Sequence, residues 1–99
     1  MSKKILIIHT SWYEEYISEM LDISKKILKD FDCTSFVAPG ALELSALAKH
    51  KISNSNFIGV LFLGIVIRGE TSHYDLITRE AFRSISNLSM EKSELALIN

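Results

Sequence analysis

Phe57-Ile58-Gly59-Val60-Leu61-Phe62-Leu63-Gly64-Ile65-Val66-Ile67, followed at once by Arg68-Gly69-Glu70-Thr71-Ser72-His73, is the stretch on which the fold turns. Residues 57–67 form a nearly unbroken apolar run. A run of strand length, ended by glycine and polar residues, reads as a β-strand covered on both faces rather than one with a wet face. The period then changes. From His73 to about Lys92 the apolar residues return at helical spacing, and Ser72 with Asp75 is spaced as a capping box, with Asp in place of the usual Glu. A buried strand feeding a capped helix is one unit of an α/β protein.

The rest of the chain repeats that unit. Upstream, Ile5-Leu6-Ile7-Ile8 is a continuous apolar run and reads as the first strand. Tyr13, Tyr16, Ile17, Met20, Leu21, Ser24, Ile27, Leu28 and Phe31 recur three and four apart and predict a helix. Its acids, Glu14, Glu15 and Glu19, lie early and its lysines, Lys25, Lys26 and Lys29, lie late, matching the helix dipole. Thr34-Ser35-Phe36-Val37 reads as a second strand, broken by Pro39-Gly40. Ala41 to about Ile52 reads as a second helix, apolar nearly all round and so expected to be buried on more than one side. Asn54-Ser55-Asn56 marks a turn, and Leu95-Ala96-Leu97-Ile98 reads as a fourth strand.

The order β-α-β-α-β-α-β predicts an α/β fold of the flavodoxin-like class. Three layers are expected, with a four-stranded parallel sheet in the order 2-1-3-4 and right-handed crossovers. This arrangement puts the first helix alone on one face and the other two opposite it. The third and fourth strands are then left partly bare on the lone side. A further C-terminal helix, or another chain, is expected to cover them.

Composition limits the function classes. The chain has 99 residues and reads as a single domain, 1–99. Lys and Arg number 11 against 12 Asp and Glu, a net charge of −1, which argues against a partner chosen by bulk charge, such as nucleic acid or an anionic membrane surface. One cysteine, Cys33, makes neither an internal disulfide nor a cysteine-rich metal site. No apolar run is long enough for a membrane span, and the four-residue run Ile5–Ile8 is too short for a signal peptide. A cytoplasmic protein is expected. His9, His50 and His73 lack metal-ligand spacing, so no metal is expected.

Ligands of open parallel sheets bind outside the carboxyl ends of the strands. Three segments fall there: Thr10–Tyr13, Ala38–Glu43 and Gly64–His73. In the third, Glu70, Thr71 and Ser72 sit at a helix N-terminus, where free N–H groups and the dipole favour an anion. His73 would lie in the first turn, where the dipole favours a neutral imidazole able to accept a proton. Simple capping by Thr71 and Ser72, with an exposed His73, explains the same residues. Trp12-Tyr13 is suited either to stacking on a planar heterocycle or to wedging the first helix. Pro39-Gly40-Ala41 is explained by turn formation, and Glu43 by the helix dipole. Arg68 suits a phosphate, a pair with Glu70 or a solvated surface.

Two of these segments together carry a resemblance to a known family. Val37-Ala38-Pro39-Gly40-Ala41-Leu42-Glu43-Leu44 resembles the PGA-x-E signature of the lumazine synthase family. Leu63-Gly64-Ile65-Val66-Ile67-Arg68-Gly69-Glu70-Thr71-Ser72-His73-Tyr74-Asp75 resembles its second signature, LG-x-VIRG-x-T-x-H-[FY]-D. The resemblance runs from Lys4 to Asn99. It implies condensation of 5-amino-6-(D-ribitylamino)uracil with 3,4-dihydroxy-2-butanone 4-phosphate, giving 6,7-dimethyl-8-ribityllumazine, phosphate and water, without metal or organic cofactor. Carried over by position, His73 matches the proton-transfer histidine and Glu70 and Thr71 match the phosphate-side loop. Ala41, Leu42, Glu43, Ile65, Val66 and Ile67 match the pocket for the ribitylaminouracil. Trp12 falls at the stacking aromatic when counted from the first strand, and Tyr13 falls there when counted back from Ile17. Asn99 falls where the fourth strand reaches a neighbour's site.

The resemblance also implies homo-oligomers, pentamers or larger, with sites between subunits. It implies further chain after Asn99, carrying a phosphate-binding Arg with a nearby Lys and the last helices. Ser45 stands where many members have Pro. Two readings stay open: a lumazine synthase, or a truncated inactive remnant acting at most as a substrate-binding or scaffold subunit.

Overall fold

Ile5–Ile8 forms the middle of β1 (Lys4–His9), the strand around which a four-stranded sheet is built. The computed structural model describes residues 3–53, 56–65, 73–91 and 96–98. Along the chain follow α1 (Glu14–Ile27), β2 (Asp32–Val37), a 3₁₀ turn (Ala41–Glu43), α2 (Leu44–Ile52), β3 (Phe57–Leu63), α3 (His73–Glu91) and β4 (Ala96–Ile98). The strands lie in the order β2-β1-β3-β4 and every pairing is parallel, as the alternating pattern predicts.

Side-chain alternation explains the apolar run in β1. Leu6 and Ile8 point to one face, into a core built with Leu44, Ala48 and Ile52 of α2 and with Ile85 and Leu88 of α3. Ile7, also buried, points to the other face, where α1 lies and Ile17 is its buried anchor. Val60 and Phe62 of β3 complete the first core. Lys51, at the end of α2, sets its ammonium 4.0 Å from the Phe36 ring centre, joining that helix to β2 through a cation–π contact.

The structure corrects three expectations. First, α2 is not buried on several sides: Leu44, Ala48 and Ile52, one residue per turn, are its buried stripe, while Leu42 and Ala46 face solvent. Its first turn is 3₁₀, because it starts directly from the Pro39-Gly40 break. Second, α1 ends at Ile27 rather than Phe31. The Leu28 N–H closes on Ser24 O, and Phe31 N–H on Leu28 O belongs to the following turn. Third, β3 ends at Leu63 rather than Ile67. His9, the last residue of β1, pairs with Leu63, so the β1 ladder has no partner left to offer Gly64 and Ile65.

The lone-helix face is as bare as the topology predicts. An open apolar groove of about 370 Å³ lies between α1 and β3, lined by Ile5, Ile27, Leu28, Phe31, Ile58 and Leu61 among others. Ile27 on its rim is 76% exposed. No helix among the described residues is long and apolar enough to cross a membrane.

Candidate functional site at the strand exits

Three chain segments leave the carboxyl edge of the sheet, and short hydrogen bonds tie them together. Ala38 N–H donates to His9 O at 2.7 Å, and Thr10 N–H donates to Leu63 O at 3.1 Å. These bonds extend the β1–β2 and β1–β3 ladders by one residue past the strand ends, so the exits of β1, β2 and β3 start from one fixed edge. His9 Nδ1 lies 3.0 Å from the Thr10 carbonyl oxygen.

Trp12 crosses from the first exit to the second. Its indole Nε1–H donates to Pro39 O at 3.2 Å. The ring is otherwise 65% exposed, so the bond holds an accessible aromatic face against the Pro39-Gly40 turn. Tyr13, the other candidate for this place, sits with φ 59° and ψ 53°, in the left-handed region, as the residue before α1.

The second exit is shaped by Gly40 and Glu43. Glu43 N–H donates to Gly40 O at 3.2 Å, closing the 3₁₀ turn. The Glu43 side chain folds back over the glycine: a Cβ placed on Gly40 would lie 2.8 Å from Glu43 Oε2. Gly40 has an extended backbone, so here the glycine provides room for a carboxylate rather than an unusual torsion. Ala41 packs against the core, whereas Leu42 is exposed beside the turn.

At the third exit Gly64 sits against Thr10 and Leu44, with their side-chain atoms 3.7–3.8 Å from where its Cβ would be. Thr10 is 2% exposed, and its hydroxyl has no hydrogen-bond partner among the described residues. A small cavity of about 160 Å³ opens beside Gly64, lined by Ala41, Leu44, Phe62 and residues of α3. Ile65 takes the other side, facing a shallow depression it shares with Tyr13, Tyr16, Glu19 and Met20.

The sequence-based candidates are therefore distributed as follows. Trp12, Ala41, Leu42 and Glu43 gather around the Pro39-Gly40 turn. Ile65 lies on the α1 side of the same edge. His73 is the first residue of α3. Val66, Ile67, Glu70, Thr71 and Asn99 lie outside the described residues, as do Arg68 and Ser72. Sequence reasoning passed over two features of this edge. The buried hydroxyl of Thr10 leaves no trace in a pattern. The left-handed Tyr13 has one cue, the lack of a Ser, Thr, Asp or Asn directly before Glu14-Glu15.

Cys33 is remote from this edge, in β2 opposite Ile5 near the start of β1. Burial pushes its thiol up from the ordinary value; Lys25 opposes the shift and Asp32 reinforces it. No group of three or more His, Cys, Asp or Glu among the described residues can hold a metal ion. The large groove under α1 is lined almost wholly by carbon and lies away from these exits.

Comparison with known proteins accords with this arrangement. A family model described as 6,7-dimethyl-8-ribityllumazine synthase matches residues 2–98. A protein of that description from Methylobacterium radiotolerans is 33% identical over 91 residues, covering 90% of this chain and 56% of the relative. A 6,7-dimethyl-8-ribityllumazine synthase from Limosilactobacillus reuteri is 30% identical over 95 residues, covering 93% of this chain and 62% of its own length. A 6,7-dimethyl-8-ribityllumazine synthase 1 from Rhizobium meliloti is 34% identical over 102 residues, with coverages of 96% and 66%. The chain thus spans 56% to 66% of the length of these relatives.

Proposed function

The chain belongs to the 6,7-dimethyl-8-ribityllumazine synthase family, and from that premise we propose that its strand-exit edge condenses 5-amino-6-(D-ribitylamino)uracil with 3,4-dihydroxy-2-butanone 4-phosphate. The observation that carries the reading is the convergence of Trp12 with the Pro39–Glu43 turn, which brings an aromatic face and a carboxylate together at one site.

The roles are those that the resemblance to this family implies. Trp12 stacks on the pyrimidine. Ala41, Leu42, Glu43 and Ile65, with Val66 and Ile67, enclose the ring and its ribityl chain. Glu70 and Thr71 lie on the phosphate side, before a helix whose N-terminal dipole favours an anion. His73, at the head of α3, moves protons while the pyrimidine amine attacks the butanone carbonyl, with water and phosphate leaving. Holding two substrates in register supplies up to roughly 7–11 kcal/mol of the acceleration. No metal or organic cofactor takes part. The working form is a cytoplasmic homo-oligomer, a pentamer or larger, of flavodoxin-like three-layer subunits, and Asn99 reaches a neighbouring subunit's site.

The test is turnover with both substrates, measured together with native mass. Appearance of lumazine absorbance and fluorescence, in an oligomer, supports the reading. A second reading stays open beside it. In it, the chain binds substrate or serves as a scaffold subunit without turnover. Substrate binding with no product would select this reading.

A further inference from the structure

Tyr13 is the one non-glycine residue with positive φ among the described residues, at φ 59°. Left-handed backbone crowds the Cβ of any L-residue, and Gly or Asn adopts it with least cost. A tyrosine stays there only if its surroundings over-determine the conformation. Both of its neighbours are anchored. On the upstream side, Trp12 is held by its bond to Pro39 O. On the downstream side, Tyr13 O accepts the N–H groups of Tyr16 and Ile17, at 3.0 and 3.1 Å, and Ile17 is the buried anchor of α1. The chain must reverse between these two fixed points, and Tyr13 supplies the reversal. A right-handed or extended residue at position 13 would turn the preceding peptide away, so that Trp12 and α1 could not both keep their contacts.

We infer that Tyr13 is a positioning residue: its left-handed backbone fixes the Trp12 indole on the Pro39-Gly40 turn and so pre-forms the aromatic wall of the ligand site. The role lies in the backbone torsion and not in the phenol. The ligand side of this inference rests on the proposed function; the positioning of Trp12 does not.

The experiment uses Trp12 as its own probe, since it is the only tryptophan in the chain. Time-resolved fluorescence anisotropy without ligand reports how tightly the indole is held. Three variants are compared after confirming native circular dichroism: Tyr13→Asn, which accepts the left-handed region, Tyr13→Phe, which removes only the hydroxyl, and Tyr13→Val, whose branched Cβ resists it. In Tyr13→Asn and Tyr13→Phe the indole is expected to stay as immobile as in the parent. In Tyr13→Val the fast depolarisation should grow, and KM for the ribitylaminouracil should rise about tenfold, the scale of one aromatic contact, with KM for the butanone phosphate unchanged. Mobilisation of Trp12 in Tyr13→Asn would overturn the inference, even if Tyr13→Val failed to fold. A Tyr13→Val indole as immobile as the parent's would overturn it as well. Failure of turnover in the parent would remove the KM comparison and the proposed function together, and the anisotropy comparison would still decide the role of Tyr13.

Discussion

Trp12 and Pro39 are 27 residues apart in the chain, yet the indole N–H of one donates to the carbonyl of the other at 3.2 Å. The bond joins the exits of β1 and β2 outside any strand ladder. It lets a largely exposed aromatic ring hold one orientation, which ring stacking requires.

Trp12→Phe should keep the ring and lose the bond. Stability should fall by at most about 1 kcal/mol, the net value of one hydrogen bond. Trp12→Ala removes the stacking face, and the dissociation constant for the ribitylaminouracil should rise roughly tenfold to a hundredfold. Isothermal titration calorimetry reads both variants without relying on tryptophan emission. Equal affinity in Trp12→Ala would exclude Trp12 as the stacking residue and leave Tyr13.

Gly40→Ala places a methyl 2.8 Å from Glu43 Oε2. The carboxylate ends a flexible side chain and can swing aside, so the stability loss should stay under about 1 kcal/mol. Substrate affinity should fall as it does in Glu43→Gln, because both changes remove the carboxylate from above the turn. The double variant should then lose little more than either single one. Additive losses would show that Gly40 does not act through Glu43.

His73 opens α3. His73→Ala should lower kcat about a hundredfold, the lower range for a lost general acid–base group, while pyrimidine binding persists. Stopped-flow turnover and equilibrium binding on the same preparation separate the two effects. Loss of binding with a native circular dichroism spectrum would contradict the proton-transfer role.

Cys33 offers a pH test away from the site. Burial raises its thiol above the ordinary 9.0, so at a given alkaline pH it carries less thiolate than a free cysteine and should alkylate more slowly. The linkage has a definite sign. The unfolded chain ionises this thiol first, so its stabilising contribution is intact below pH 9.0 and declines as pH climbs toward the raised folded value. Melting temperatures of the parent and Cys33→Ala, compared at about pH 7.5 and about pH 10, should converge at the higher pH. A gap that widens would reverse the assignment.

Much of the fold was legible because the sheet is parallel and buried. A strand covered on both faces reads as a continuous apolar run, and Ile5–Ile8 and Phe57–Leu63 are such runs. What was misread depended on neighbours. The apolar pattern continues through Ile67, but β3 stops where β1 stops, and no local signal at Leu63 states that its partner has ended. The apolar residues of α2 suggested burial all round, whereas Leu42 and Ala46 face solvent. At the candidate site, the proximity of Trp12 to the Pro39-Gly40 turn follows from strand order and was foreseeable. The Glu43 carboxylate lying over Gly40 depends on a rotamer, and the torsion of Tyr13 on two distant anchors, so neither was legible.

Because every described strand pairing is parallel, each must wait for a helix-length connection to close: Lys4 finds Asp32, and Ile5 must find Gly59. Contacts this distant along the chain make for slow folding, since loop entropy is lost before the reward of packing arrives. Of the described pairings, β1 with β3 closes over the most chain, and truncating Leu6, Ile8 or Val60 should slow refolding most when refolding is followed by stopped-flow.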